Sequence, residues 1–144
     1  MLRQRENISP GMREINKIEK IIIGYLQDSL NGEIYVKRDR NLTNKQMIGH
    51  GISYYLTAIL RGRKDSRMRG RWIDDIAWEN FELFPPNKTK GRGKLWWGLK
   101  KDTSSKTFPA DFYCELELVN SDKKTAVSYL FQFQIDGESY NLKN

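Results

Sequence analysis

Asp111-Phe112-Tyr113-Cys114-Glu115-Leu116-Glu117-Leu118 is the stretch that decides the fold. Phe112, Cys114, Leu116 and Leu118 alternate with Asp111, Tyr113, Glu115 and Glu117, and a period of two belongs to a strand with one buried and one wet face. The period holds on both sides. Over 93–101, Leu95, Trp97 and Leu99 alternate with Lys94, Trp96 and Lys100, and downstream Val127, Tyr129, Phe131, Phe133 and Ile135 alternate with Ser128, Leu130, Gln132 and Gln134. Asp136-Gly137 then turns the chain into a short last strand over 139–142, Asp-Gly being a favoured pair where both turn residues need positive φ. With loops read at 87–92, 102–109 and 120–125, these strands make an antiparallel meander.

The first half changes period. Ser9-Pro10 suits a helix start, because the hydroxyl caps free N–H groups and proline has none to lose. Ile15, Ile18, Ile22, Tyr25 and Leu26 then share one face, which predicts a helix over 10–30 closed by Asn31-Gly32. A short strand over 33–38 carries Ile34 and Val36. Thr43 caps a second helix in which Ile48, Ile52, Tyr55, Leu56 and Ile59 face one way. Gly49 and Gly51 each cost it about 1 kcal/mol relative to alanine, unless they admit another backbone. Ile73, Ile76, Ala77, Phe81 and Phe84 keep helical spacing behind Asp74 and Asp75, predicting a third helix stopped by Pro85-Pro86. Three helices followed by a meander define an α+β fold, expected as one domain over 1–144 with residues 1–9 as an N-terminal arm.

Composition excludes several classes. Cys114 is the only cysteine and His50 the only histidine, so no intrachain disulfide and no Cys/His zinc framework can form. Cys114 sits on an apolar strand face, where a buried thiol is the common occupant. His50 has no nucleophile beside it, and its Gly-His-Gly setting matches no phosphate or dinucleotide loop. No cofactor is expected. No apolar run is long enough for a membrane span and no secretory signal is seen, so the expected compartment is the cytoplasm.

The formal charge of +7 is uneven. Residues 1–72 hold 15 Lys and Arg against 7 Asp and Glu, while residues 73–144 hold 10 against 11. That asymmetry favours a polyanion as partner. Arg61, Arg63, Lys64, Arg67, Arg69 and Arg71 read as an exposed basic loop of phosphate contacts, supported by Lys88, Lys90 and Arg92. The Lys94, Trp96 and Lys100 face adds charge and an aromatic ring on which an unpaired base can stack. The first reading is therefore a small nucleic-acid-binding protein, more a binder than an enzyme. The same cations would serve a regulator that docks on an acidic protein.

Two resemblances supply other readings. Glu115-Leu116-Glu117 resembles the variant of PD-(D/E)xK nucleases in which a second acid replaces the final lysine. That resemblance implies Asp102 or Asp111 as the earlier acid, and Asp111, Glu115 and Glu117 as a site for a divalent metal. The competing reading pairs these acids with Lys94 and Lys100 across the sheet. The ending Tyr129-Leu130-Phe131-Gln132-Phe133-Gln134-Ile135-Asp136-Gly137 is similar to the final strands of NTF2-like, cone-shaped folds. It implies an apolar cavity lined by Trp78, Trp97, Tyr129 and Phe131, rings that equally suit a packed core.

Overall fold

The computed structural model describes residues 10–30, 44–62, 70–80, 82–83, 87–99 and 106–144. Among them are two helices, α1 (Pro10–Leu30) and α2 (Asn44–Gly62). Six strands follow: β1 (Arg71–Trp78), β2 (Glu82–Leu83), β3 (Lys88–Leu99), β4 (Phe108–Ser121), β5 (Lys124–Ile135) and β6 (Glu138–Lys143). All pairings are antiparallel, in the order β1-β3-β4-β5-β6, with β2 also paired to β3. The α+β class holds. The arm at 1–9, the strand expected over 33–38 and the Thr43 cap lie outside the described residues. Neither helix is long and apolar enough to cross a membrane.

The alternation read from the sequence sets the two faces of the sheet. Phe112, Cys114, Leu116 and Leu118 of β4 join Val127, Phe131, Phe133 and Ile135 of β5 in the core. Ile18, Ile22 and Leu26 of α1 and Ile48, Ile52 and Leu56 of α2 cover them. Tyr55 meets the rings of Tyr129 and Phe131 edge-on, with centroids 5.3 and 6.1 Å away. Phe131 and Tyr129, expected either to line a cavity or to pack, do the latter. Beyond the end of β6 the edge of β5 is completed by side chains. The Glu19 carboxylate of α1 accepts the Val127 N–H (3.2 Å). Asn144 accepts from the Tyr129 N–H (2.8 Å) and donates to the Val127 carbonyl (2.9 Å). Backbone groups on a covered edge need such partners.

In place of the helix expected from Ile73 to Phe84 the chain forms strand β1 over Arg71–Trp78 and the short β2 at Glu82–Leu83, while Phe81 and Phe84 lie outside the described residues. The pairing of β1 with β3 shifts register between Ile73 and Asp75. A bulge inserts one residue there, so Ile73 and Ile76 both point inward although three positions apart. That spacing imitates a helix. The segment 87–92, expected as a loop, is likewise the start of β3, which runs from Lys88. The loop read at 120–125 tightens to a two-residue turn at Asp122-Lys123. It matches the turn at Asp136-Gly137, and all four residues have positive φ.

α2 lies along the outer edge of β1. The Ile73 N–H donates to the Thr57 hydroxyl (3.0 Å), which itself donates to the Ser53 carbonyl (2.8 Å). Further along, the Trp78 indole occupies space left by two glycines. A Cβ at position 49 would lie 2.7 Å from the Ile76 carbonyl oxygen and 2.8 Å from Trp78 Nε1, and a Cβ at position 91 would fall on the indole ring itself. Gly49 therefore admits another backbone, whereas Gly51 meets only the Ile18 side chain at 3.7 Å and Gly24 meets nothing. Gly24→Ala and Gly51→Ala are each expected to raise stability by about 0.5–1 kcal/mol. Gly49→Ala and Gly91→Ala should lower it by about 1–3 kcal/mol through overpacking. Urea denaturation of the four variants checks the contrast.

Candidate functional site

The pairing of β3 with β4 decides what the solvent face of the sheet can do. Lys88, Lys90, Arg92, Lys94 and Trp96 all project to this face, as do Asp111, Tyr113, Glu115 and Glu117. The register sets Lys88 opposite Glu117, Lys90 opposite Glu115 and Lys94 opposite Asp111. Their N–O distances are 3.8, 3.6 and 3.3 Å. Each lysine thus faces a carboxylate. Partly exposed pairs of this kind are worth at most about 1 kcal/mol each, but they leave little net field.

Arg92 faces Tyr113 instead, its guanidinium 5.5 Å from the ring centroid. The Tyr113 hydroxyl donates to Glu115 Oε1 at 2.5 Å, so Glu115 receives both Tyr113 and Lys90. The hydrogen bond to Glu115, aided by burial and by the charge of that carboxylate, pushes the Tyr113 phenol up to about 12. Arg92 opposes the shift. The acids share a face as expected, yet among the described residues no group of three His, Cys, Asp or Glu side chains is placed to hold a metal ion. Asp102 and Lys100 lie outside the described residues.

Of the basic cluster, Arg63, Lys64, Arg67 and Arg69 also lie outside them. Arg61 is exposed at the C-terminal end of α2, and its Nε–H reaches the Arg71 carbonyl (3.4 Å). Arg71 is engaged: its guanidinium lies 5.0 Å from the Trp97 ring centroid and pairs with Asp136 at 2.7 Å. Trp96 is half-buried, between Asp75 of β1 and Pro109 of β4. Cys114 is fully buried, and burial pushes its thiol well above the usual range. His50 is exposed on α2 with its ring against Tyr54 (4.8 Å), so the two residues do not share a site.

The helical layer presents other charges. Arg13, Lys17 and Lys20 are exposed on α1, while Glu19 is turned to the Val127 N–H. α2 contains Lys45 and Arg61 and no acidic residue. Its exposed side carries His50, Arg61 and the half-exposed Tyr54. Helical periodicity marked the buried faces of both helices; their opposite faces carry Arg13, Lys17, Lys20 and Arg61.

Sequence reading missed a cleft where the sheet splits. The ladder between β4 and β5 ends at Phe112–Phe133, although β4 extends back to Phe108 on β3 and β5 runs on to Ile135 on β6. A cleft of about 940 Å³ occupies the gap. Trp97, Phe108, Phe112 and Phe133 give it apolar walls, and Arg92, Tyr113, Gln132, Gln134 and Asn141 give it polar ones. No alternation pattern marks where two paired strands diverge.

No protein-family model, curated protein or solved structure matches the chain. The likenesses to PD-(D/E)xK nucleases and NTF2-like folds therefore stand on the quoted residues alone.

The Tyr113–Glu115 bond has a measurable consequence. A phenol whose pKa is raised on folding stabilises the protein below its unfolded value of 10.0 and loses that contribution as pH climbs through about 12. Glu115→Gln should bring the Tyr113 phenol back toward 10 and leave the Tyr55 phenol, held up by burial, unchanged, so ultraviolet titration of the variant shows one late-ionising phenol fewer than the wild type.

Proposed function

We propose that this protein binds a polyanion, nucleic acid being the leading class, through its helical layer and the adjoining Arg-rich segment 61–71. The observation that carries the reading is the sorting of charge. On the sheet, Lys88, Lys90 and Lys94 each face a carboxylate in register. On the exposed faces of the helices, Arg13, Lys17, Lys20 and Arg61 have no ion pair with a described residue. These four stand in the half of the chain that carries the positive excess, together with Arg63, Lys64, Arg67 and Arg69. Cations there neutralise phosphates and release condensed counterions, which gives affinity without sequence preference. Tyr54, half exposed beside His50, adds an exposed ring on α2. Trp96 and the sheet lysines, read from sequence as the contact surface, are secondary in this arrangement.

Fluorescence anisotropy with labelled single- and double-stranded oligonucleotides over a salt series tests it. Lys17→Gln combined with Lys20→Gln is expected to weaken binding and to reduce the salt slope by about 2, one unit per lost phosphate contact. Arg63→Ala with Arg67→Ala and Arg69→Ala should act in the same direction. The charge-neutral pair Lys90→Gln with Glu115→Gln should leave both affinity and slope unchanged. Loss confined to the sheet pair would move the contact to the sheet. No binding at low salt would overturn the reading, and a pull-down that survives nuclease treatment would identify an acidic protein as the partner.

A further inference from the structure

On the open face of the sheet, the cleft where β4 and β5 part is bordered by a single row of side chains. Just beyond β1 the Glu79 N–H donates to the Arg92 carbonyl (2.8 Å). The registers then set Arg92 opposite Tyr113, Tyr113 opposite Gln132 and Gln132 opposite Asn141. Directly opposed residues point to the same side of an antiparallel sheet, so these five stand in line across four strand spacings, about 19 Å. All five line the cleft. The rows on either side are spent on internal pairs, Lys90 with Glu115 at 3.6 Å and Lys94 with Asp111 at 3.3 Å. This row is not. Glu79, Arg92, Gln132 and Asn141 are exposed; among the described residues neither charge has an ion pair and neither amide a side-chain hydrogen bond. Arg92 has only the Tyr113 ring beside it, 5.5 Å from the centroid, and the Tyr113 hydroxyl is turned to Glu115. The rings of Trp97 and Phe108 belong to the opposite face of the sheet and take no part.

We propose that this row binds a neutral oligosaccharide laid across the strands. A carboxylate only accepts hydrogen bonds, a guanidinium only donates them and an amide does both, whereas a hydroxyl answers each of the three. Neighbouring hydroxyls of one sugar ring engage Glu79 and Arg92 together, and those of a later ring engage Gln132 and Asn141. Ligands with a net charge fit less well. A phosphate or carboxylate at Arg92 meets the Glu79 carboxylate in the opposed position, and an ammonium at Glu79 meets the Arg92 guanidinium. A small zwitterion satisfies these two charges but leaves both amides unused, while a chain of sugar units spans the row. The free groups are polar, so the ligand is held by hydrogen bonds more than by apolar burial. The cleft volume, about 940 Å³, suits a ligand of this size. This site is separate from the cationic helical layer and does not depend on it.

The test titrates maltotriose, cellotriose, xylotriose and mannotriose into the full chain, with glycine as the zwitterionic comparison. Nuclear magnetic resonance follows the side-chain amides of Gln132 and Asn141 and the Nε–H of Arg92. At least one trisaccharide is expected to shift all three signals saturably, with an affinity unaffected by salt. That affinity should fall about tenfold in Gln132→Ala and in Arg92→Ala, each of which removes hydrogen bonds to the sugar, and stay unchanged in Lys17→Gln with Lys20→Gln. Circular dichroism verifies that the variants are folded. The proposal is overturned if no trisaccharide gives a saturable shift, if binding persists undiminished in both row variants, if it falls with salt, or if glycine alone saturates the Arg92 signal. A phosphate-driven interaction at the helices fails or succeeds independently, because it is read with oligonucleotides over a salt series.

Discussion

The indole of Trp78 sits where a helix and a strand have both given up side chains. Gly49 of α2 and Gly91 of β3 leave the space, and Gly93 lets β3 approach the Ala77 carbonyl more closely than any Cβ would permit. The seat joins α2, β1 and β3. It couples the helical layer to the sheet, with Thr57 meeting the Ile73 N–H further along the same edge. An unprotected edge strand is a template for pairing with another chain; α2 covers this one. The price of Gly49 in helix propensity is thus offset by packing that only a residue without a side chain allows.

With β1 seated, the sheet register follows, and the register sorts the charges. A shift of one residue between β3 and β4 would turn the alternation of both strands inside out. Burial of Leu95, Cys114 and Leu116 forbids that shift. The same constraint that fills the core brings Lys88, Lys90 and Lys94 opposite Glu117, Glu115 and Asp111. Neither the lysines nor the acids can be weighed as an isolated site, because each set largely neutralises the other. Arg13, Lys17, Lys20 and Arg61, which have no such partner among the described residues, lie on the helices, while β4 and β5 part at Phe112–Phe133 to leave a cleft with aromatic walls and a charged rim.

The elements misread from sequence share one physical cause. Ile73 and Ile76 have helical spacing, yet a bulge puts both on the inner face of a strand. The segment 87–92 contains Gly91 and no apolar side chain, so it reads as a loop, but Thr89 and Gly91 are its inward positions, and the small residue at 91 is required by the Trp78 ring. Local patterns report whether a position is apolar. They do not report that an inward position must be empty for a neighbour's side chain.

By itself the sequence determined the two helices, the alternating strands over 93–101, 111–118 and 127–135, the Asp136-Gly137 turn and the excess of positive charge in the first half. Each follows from short-range period, turn chemistry or composition. Only the tertiary structure decided that 71–78 is a strand, which carboxylate each sheet lysine meets, and that β4 and β5 part at Phe112–Phe133 to form a cleft. These depend on register and on approach between segments distant in the chain, which no local period encodes.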